Sequence, residues 1–210
     1  LNYAVTALNE LSLTGSSFDI DGTTFQIPIA GLYNIYNALA AYSAAKFFGL
    51  STEEIQEGFS KAQRVFGRQE TFDVEDKEVM LNLIKNPVGF NQIVQLLSYE
   101  KEDFSLGVLL NDNPADGQDV SWIWDGNFEG LHALNAKDTA ISGIRVEDLG
   151  VRMEVAGFEN MKVFKTNAEL IDWIRKAPTK KVNVLATYTA LLDLRKDFAK
   201  EGYLKEGMNG

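Results

Sequence analysis

The chain has 210 residues, of which 45% are hydrophobic and 24% charged, a composition typical of a globular protein with one large or two small domains. It contains no Cys and only one His, His132, which excludes disulfides, thiolate metal sites, a Cys nucleophile and a multi-His metal cluster within the chain. The formal net charge of -10 repels phosphate backbones and argues against nucleic-acid binding. No apolar run approaches the length of a transmembrane segment and the N-terminus does not resemble a signal peptide, so we expect a cytoplasmic protein.

The first third of the chain predicts short strands followed by two helices. Residues 4–13 alternate apolar and polar side chains, and residues 18–25 predict a hairpin because Asp21-Gly22 is a strong two-residue turn signal. Apolar side chains recur at helical spacing in residues 31–48, which predicts a helix that ends at Gly49. Ser51 with Glu54 three positions later predicts a capped second helix that runs to about residue 65.

The pattern changes after Gly67, where strands and helices begin to alternate. Strands are predicted at residues 77–84, 104–111, 139–142 and 181–187, and helices at residues 87–99, 146–156, 167–176 and 189–200. This alternation indicates an α/β fold with a mostly parallel sheet that is covered on both faces. We therefore expect a domain boundary near Gly67, with one unit at residues 1–66 and the other at residues 67–210.

Three polar residues before or at this boundary are candidate ligand-binding residues. Asn34 and Asn37 lie three residues apart at the start of a predicted helix, so they share one face and could cap the helix or hydrogen-bond a ring such as adenine. Spacing alone favours capping. Arg68 lies at the boundary, where a guanidinium could reach a phosphate in a cleft, although a surface Arg is the more common situation.

An acidic loop follows the most hydrophobic predicted strand. It contains four Asp and two Trp between residues 111 and 125: Asp112, Asp116, Asp119, Asp125, Trp122 and Trp124. Loops at the carboxyl ends of parallel strands commonly carry the sites of α/β proteins. The carboxylates could bind Mg²⁺, orient a His or make turns, and turn formation is the favoured explanation for at least two of them.

Three segments of the chain resemble the Mur ligases. The segment from Gly31 to Ala41 resembles the motif Gly-x-His-Asn-x-x-Asn-x-x-Ala-Ala, with Tyr33 in place of His. Gly-Arg-Gln-Glu at residues 67–70 resembles the Gly-Arg-x-Glu that opens the C-terminal domain of the family. Residues 81–87 resemble Asp-Tyr-Ala-His-Asn-Pro, with Asn82 and Lys85 in place of Asp and His.

These departures argue against an ordinary amino-acid-adding Mur ligase. The acidic loop is instead similar to the signature Asp-Asn-x-Ala-Asp-Gly-x-Asp-x-Ser-Trp-x-Trp-Asp of the MurT subunits of lipid II isoglutaminyl synthases, and it is complete from Asp112 to Asp125. The resemblance covers essentially the whole chain. It implies the end of a Mur ligase central ATPase domain, a hairpin plus helices, followed by a Rossmann-like C-terminal domain.

The resemblance also implies an activity in peptidoglycan biosynthesis. A MurT subunit uses ATP and Mg²⁺ to activate the α-carboxylate of D-glutamate in lipid II, at the inner face of the membrane, and ammonia then gives D-isoglutamine. The ammonia comes from a class I glutaminase of the GatD type, which forms a heterodimer with the subunit and supplies a Cys and a His. A carboxylate of the acidic loop is expected to complete that partner site, with Asp116 the first choice and Asp112 and Asp119 the next.

The resemblance assigns further roles residue by residue. Arg68 is expected to bind the ATP phosphates, Asn37 with Asn34 the adenine, and Asn82 the ribose. Trp122 and Trp124 are candidate anchors for the partner, because aromatic side chains dominate protein interfaces. The chain lacks the phosphate-binding loop and the Cys-rich zinc ribbon of the family, so both, with any Zn²⁺, are expected upstream of residue 1 and the chain alone is expected to be inactive.

Two alternatives remain open at this point. The chain could be a non-catalytic docking module that holds a partner enzyme through Trp122 and Trp124. It could also be a relative of the folate-adding ligases, which share the Mur architecture, although the signature between Asp112 and Asp125 argues against this.

Overall fold

The computed structural model describes residues 2–62 and 68–205. The chain folds into two compact units, Leu1–Arg64 with Gln95–Glu100, and Val65–Val94 with Lys101–Gly210. The expected boundary residue, Gly67, lies outside the described residues. The assignment of the two segments to an ATPase domain and a C-terminal domain stays a prediction.

The first unit contains a three-stranded antiparallel sheet in the order β1-β2-β3. Its strands are β1 (Val5–Leu11), β2 (Ser16–Ile20) and β3 (Thr23–Ile27). The predicted hairpin is confirmed, because Asp21 and Gly22 both have positive φ, 51° and 74°, as a two-residue turn between twisted strands requires. This turn sets the register in which Phe18 faces Phe25.

Two helices complete the core of the first unit. Helix α1 (Leu32–Phe47) and helix α2 (Thr52–Ser60) bury apolar side chains against the sheet, among them Ile35, Tyr42 and Ile55. The predicted capping box is confirmed, because the Ser51 side chain accepts from the Glu54 amide and the Glu54 side chain accepts from the Ser51 amide. Helix α2 ends at Ser60, earlier than the sequence pattern indicated.

The second unit contains a six-stranded sheet in the order β4-β5-β9-β6-β7-β8. Its strands are β4 (Arg68–Val74), β5 (Lys77–Leu83), β6 (Phe104–Leu109), β7 (Asp138–Ser142), β8 (Lys162–Val163) and β9 (Lys181–Ala186). Only β4 is antiparallel to its neighbour, so the expected mostly parallel sheet is confirmed. Strand β9 follows the other five strands of this sheet in the sequence, yet it lies in the middle of the sheet.

Helices cover both faces of this sheet. They are α3 (Pro87–Leu97), α4 (Phe128–Ala133), α5 (Val146–Val155), α6 (Asn167–Arg175) and α7 (Tyr188–Lys200). Helices α6 and α7 pack on the face of Leu81 and Val184. On the other face Gly150 of α5 lies against Ile141, and Phe90 of α3 stacks on Phe128 of α4 at 4.2 Å.

The sequence pattern missed four short elements of the second unit. They are β4, β8, α4 and a 3₁₀ helix at Ser121–Trp124. Strand β4 is an edge strand with a register shift between Arg68 and Glu70, which breaks the regular alternation of side chains. The other three elements are only two to six residues long, too short to show a period. No helix within residues 2–62 or 68–205 has both the length and the apolarity to span a bilayer.

Candidate functional site

The acidic loop lies at a switch point of the parallel sheet. Strands β6 and β9 are neighbours, and both point their carboxyl ends to the same edge. The chain leaves β6 towards α4, on the face that α5 covers, whereas it leaves β9 directly into α7 on the opposite face. Ligands of open α/β sheets bind in the crevice that such a divergence creates, so the loop occupies the expected position for a site.

Asp116 ties this loop to the start of α7. Its carboxylate accepts hydrogen bonds from the Thr189 backbone amide at 2.7 Å and from the Thr189 hydroxyl at 2.6 Å. It also accepts a hydrogen bond from the Asn113 backbone amide at 3.1 Å, and only 4% of Asp116 is exposed. A carboxylate at a helix N-terminus satisfies free amides and favours the helix dipole. The structure thus gives Asp116 a bracing task, and its action on a partner stays a prediction.

Two Asn side chains extend this tie across the switch point. The side-chain amides of Asn111 and Asn113 both donate to the Thr189 hydroxyl oxygen, at 3.0 and 2.9 Å. The Asn111 amide oxygen also accepts from the backbone of Ile144 after β7, so one side chain joins three strand ends. We missed Thr189 and Asn111 in the sequence, where the only signal was polar residues directly after two buried strands.

Asp112 and Asp119 lie in more open surroundings. Asp112 pairs with Arg145 at 2.9 Å, and 25% of its side chain is exposed. Arg145 also binds Asp148 at 2.7 Å, and these hydrogen bonds, that of Asp148 first, raise the pKa of the guanidinium. Asp119 is exposed and accepts from the Ser121 amide at 2.8 Å, and its hydrogen bonding with Ser121 lowers the pKa of its carboxyl. Of the three candidate carboxylates, Asp116 is therefore buried, Asp112 half-buried and Asp119 exposed.

A buried guanidinium fixes the segment that carries the two Trp residues. Arg152 is 3% exposed, and it donates to the carbonyls of Ile123 and Gly126 at 2.9 and 3.0 Å. It also forms a bidentate pair with Glu129, and the hydrogen bonds of this pair lower the pKa of the Glu129 carboxyl. Nothing in the sequence around residue 152 distinguished this side chain from an ordinary surface Arg of a helix.

The two Trp residues differ in their surroundings. Trp124 is 53% exposed and lies over the Arg152 guanidinium, whose central carbon is 5.4 Å from its ring. Trp122 is partly buried, and its ring centroid lies 6.2 Å from that of Phe90. Of the two expected partner anchors, Trp124 offers the larger accessible surface.

The expected adenine-binding amides share one face of α1, as predicted. Asn34 donates to the Ala30 carbonyl at 2.7 Å, and Asn37 donates to the Asn34 amide oxygen at 3.3 Å. The helix cap that the spacing favoured is not formed, because the N-cap residue is Gly31 with no side-chain cap hydrogen bond, and Asn34 donates to a carbonyl rather than accepting from a free amide. Asn37 is nevertheless exposed, and its own amide oxygen has no partner within residues 2–62 and 68–205.

The expected ribose-binding residue is buried in the second unit. Asn82 is fully buried, and neither its Oδ1 nor its Nδ2 has a hydrogen-bond partner among the described residues. Asn183 on β9 lies on the same face of the sheet and leaves its own Nδ2 unpaired within that part of the chain. The side chain of Arg68 lies outside the described residues. Lys85 follows β5 and donates to the Ala115 carbonyl of the acidic loop at 3.5 Å.

A metal ligand set is absent from the described part of the chain. No group of three or more His, Cys, Asp or Glu in residues 2–62 and 68–205 is placed to hold an ion.

The sequence of this site matches a known family. A family model described as MurT ligase C-terminal matches residues 83–191, from the end of β5 into α7, so the match includes both Asp116 and Thr189. The chain belongs to the MurT ligase C-terminal family. It is 43% identical over 211 residues to the lipid II isoglutaminyl synthase (glutamine-hydrolyzing) subunit MurT of Streptococcus pneumoniae, across 100% of this chain and 47% of that protein. The chain thus spans about half the length of this MurT subunit.

Solved structures of other ligases have the same fold as this chain. The ligase MurC of Thermotoga maritima, which joins UDP-N-acetylmuramate and alanine, superposes with a TM-score of 0.71 at 14% identity, covering 95% of this chain and 45% of that chain. Folylpolyglutamate synthase of Mycobacterium tuberculosis, solved with ADP and AMPPCP, gives a TM-score of 0.68 at 19% identity, covering 95% and 48%. This chain therefore shares its fold with a Mur ligase and with a folylpolyglutamate synthase.

Proposed function

We propose that this chain is part of a synthetase subunit that amidates the α-carboxylate of D-glutamate in lipid II with ATP, giving D-isoglutamine. The nitrogen comes as ammonia from a class I glutaminase that forms a heterodimer with the subunit. The reaction belongs to peptidoglycan biosynthesis and takes place at the inner face of the membrane. The observation that carries the proposal is the 43% identity along the whole chain to a subunit named for this synthase.

The residues of the chain are compatible with a nucleotide. Asn37 exposes an amide with a free oxygen, and Asn82 holds two buried polar atoms without partners in the described residues. Unpaired buried amides are costly, so a ligand that pairs with them has a clear physical advantage. ATP supplies the phosphoryl group that activates the carboxylate, and we assign Asn34 and Asn37 to the base, Asn82 to the ribose and Arg68 to the phosphates. Mg²⁺ is proposed to accompany the phosphates.

The acidic loop is proposed to serve the glutaminase. A Cys–His pair gains from a carboxylate that orients the imidazole and stabilises its charged form. This chain has no Cys, so a Cys–His site made from its residues alone is excluded. Asp116 remains the first candidate for the partner, although it must then give up contacts with Thr189. Asp112 and Asp119 are the alternatives with exposed oxygens.

Domain roles follow from the same proposal. Residues 1–66 would form the end of the ATPase domain and residues 67–210 the C-terminal domain. The phosphate-binding loop and the zinc ribbon stay predictions about the longer protein. The match of the MurT family model supports the amidation proposal over the folate-ligase alternative.

The proposal is tested with the longer protein that contains this chain and its glutaminase. Lipid II, ATP and glutamine are incubated with both subunits, and the stem peptide is analysed by mass spectrometry. We expect conversion of D-glutamate to D-isoglutamine that requires ATP, with ammonium salt replacing glutamine and glutaminase at high concentration. Folate polyglutamylation without lipid II amidation would refute the proposal. Complex formation without amidation from either nitrogen source would support the docking-module alternative.

A further inference from the structure

Strand β4 begins with a bulge opposite the end of β5. Arg68 pairs with Asn82, and Glu70, two residues further along β4, pairs with Leu81, only one residue away on β5. Gln69 is therefore the extra residue of a β-bulge. It has a positive φ of 56° although it is not a glycine, and only 1% of it is exposed. A buried side chain in this strained conformation persists only where neighbouring contacts hold it, and such residues cluster at functional sites.

The bulge determines the register of Arg68. Residues that pair across two strands belong to the same face of the sheet, and neighbours along a strand belong to opposite faces. Leu81 belongs to the face that α6 and α7 cover, so Asn82 belongs to the other face. A regular strand continued from Glu70 would pair Arg68 with Leu83, on the face of Leu81. The extra residue instead pairs Arg68 with Asn82, because a slip of one residue exchanges the two faces.

A buried ion pair holds β4 directly after the bulge. The carboxylate of Glu70 accepts from Nε of Arg195 on α7, at 3.0 Å to one oxygen and 3.1 Å to the other. Arg195 is only 8% exposed. Two residues along β4, Phe72 packs on Phe198 of the same helix, with ring centroids 4.9 Å apart. Strand β4 therefore cannot slide along β5 to remove the bulge at Gln69 without breaking both contacts.

We propose that Glu70 and Arg195 are positioning residues for the nucleotide, because their ion pair holds the bulge that brings Arg68 into register with Asn82. The inference rests on the proposed function, which assigns Arg68 to the ATP phosphates and Asn82 to the ribose. Ribose and phosphates are adjacent groups of one nucleotide, so the residues that bind them must lie at adjacent positions on one face. Glu70 and Arg195 act through the backbone of Gln69 and touch no part of the nucleotide.

The ion pair is tested by removing its negative charge. Glu70→Gln keeps the size of the side chain but weakens the hydrogen bonds from Arg195, so the bulge can relax. Glu102→Gln is the matched control, because it breaks an ion pair with Lys181 at the amino end of β9. The Kd of the longer protein for ATP is measured by calorimetry, and its KM for ATP and for lipid II by ammonia-driven amidation. We expect Glu70→Gln to raise the Kd and KM for ATP about tenfold or more, with the KM for lipid II unchanged, and Glu102→Gln to match the wild type.

The bulge itself is tested by two substitutions of Gln69. Asn keeps the amide and tolerates a positive φ, whereas a β-branched Val is an outlier in that conformation. We expect Gln69→Val to weaken ATP binding as Glu70→Gln does, and Gln69→Asn to bind ATP nearly as the wild type does. If Gln69→Val does not fold, as judged by circular dichroism, the comparison of Glu70→Gln with Glu102→Gln decides alone. Wild-type affinity for ATP in Glu70→Gln overturns the proposal, and so does an equal rise of the KM for lipid II, which would indicate a general structural defect.

Failure of the positioning role and failure of the proposed reaction give different results. If the wild type binds ATP but does not amidate lipid II, a raised Kd for ATP in Glu70→Gln still supports the positioning role while the proposed reaction falls. If the wild type amidates lipid II and Glu70→Gln binds ATP normally, the proposed reaction stands and the positioning role falls.

Discussion

The Asp116 carboxylate receives both the amide and the hydroxyl of Thr189, a residue 73 positions further along the chain. One oxygen is 2.7 Å from the amide nitrogen and the other 2.6 Å from the hydroxyl. The loop after β6 and the helix after β9 are thus joined at the switch point. A side chain in this position has two possible tasks, to brace the loop or to act on a partner, and substitutions can separate them.

Asp116→Asn should lower the free energy of unfolding by about 1–3 kcal/mol, because an amide nitrogen replaces one acceptor against buried donors. Thr189→Val removes the hydroxyl from the same contact and serves as the matched variant. Both are measured by urea denaturation and by glutamine hydrolysis in the complex. If Asp116 acts in trans, Asp116→Asn abolishes hydrolysis while Thr189→Val retains most of it. Equal effects of the two substitutions would show that the carboxylate only braces the loop.

Arg152→Gln should destabilise the second unit, again by about 1–3 kcal/mol, because it leaves buried carbonyls of Ile123 and Gly126 without donors. Glu129 is mostly exposed, so solvent limits the contribution of the ion pair. We expect a lower urea midpoint and a changed Trp fluorescence spectrum. Lys176→Gln, which breaks an exposed pair with Asp172, is the control and should change the midpoint little. A wild-type midpoint for Arg152→Gln would contradict the bracing role.

Gly143→Ala should impair folding more than Gly202→Ala does. Both glycines have positive φ, 107° and 85°, so both substitutions strain the backbone. A Cβ at Gly143 would lie 2.4 Å from the Leu110 carbonyl oxygen, whereas a Cβ at Gly202 would meet no atom within 4 Å. Thermal melting of the two variants isolates the clash. Equal melting temperatures would mean that the chain around Leu110 yields without cost.

Stability of the first unit should depend on the ionisation of Glu54. Its hydrogen bonds from Ser51, the backbone bond first, lower the pKa of this carboxyl below the ordinary value of 4.5. A carboxyl with a lowered folded pKa stabilises the fold above its unfolded pKa and loses that effect as pH falls through the folded value. We expect NMR titration to place the Glu54 midpoint below 4.5, and Ser51→Ala to move it upwards. Because Ser51→Ala keeps the backbone donor, it removes only the smaller of the two causes, and a wild-type midpoint at or above 4.5 would contradict the cap as the cause.

Elements with a clear period were predictable from the sequence, and elements set by distant contacts were not. The buried strand at Phe104–Leu109 and the turn at Asp21-Gly22 are both predicted by their own residues, without knowledge of distant contacts. Strand β8 has only two residues, and it forms because these residues pair with the edge of β7. Its sequence therefore holds too little information to reveal it.

The candidate site shows the same division. The acidic loop was located because its composition is unusual and its position after a buried strand is informative. The partners of that loop were not located, since Arg145 and Thr189 come from later elements that meet the loop only in the folded chain. The burial of Asn82 and Asn183 could not be predicted from the sequence either, because it depends on the pairing of β5 with β9.

The central position of β9 determines when the acidic loop can acquire its native shape. The sheet keeps an open gap between β5 and β6 until β9, which follows the other five strands of this sheet in the sequence, pairs with both. Pairings between distant segments of a chain form slowly because the intervening loops must close first. Thr189 follows β9 directly, so its bonds to Asp116 close only after that insertion. The loop is therefore among the last parts of the second unit to become ordered, and a nascent chain that has not yet released α7 presents an unfinished site.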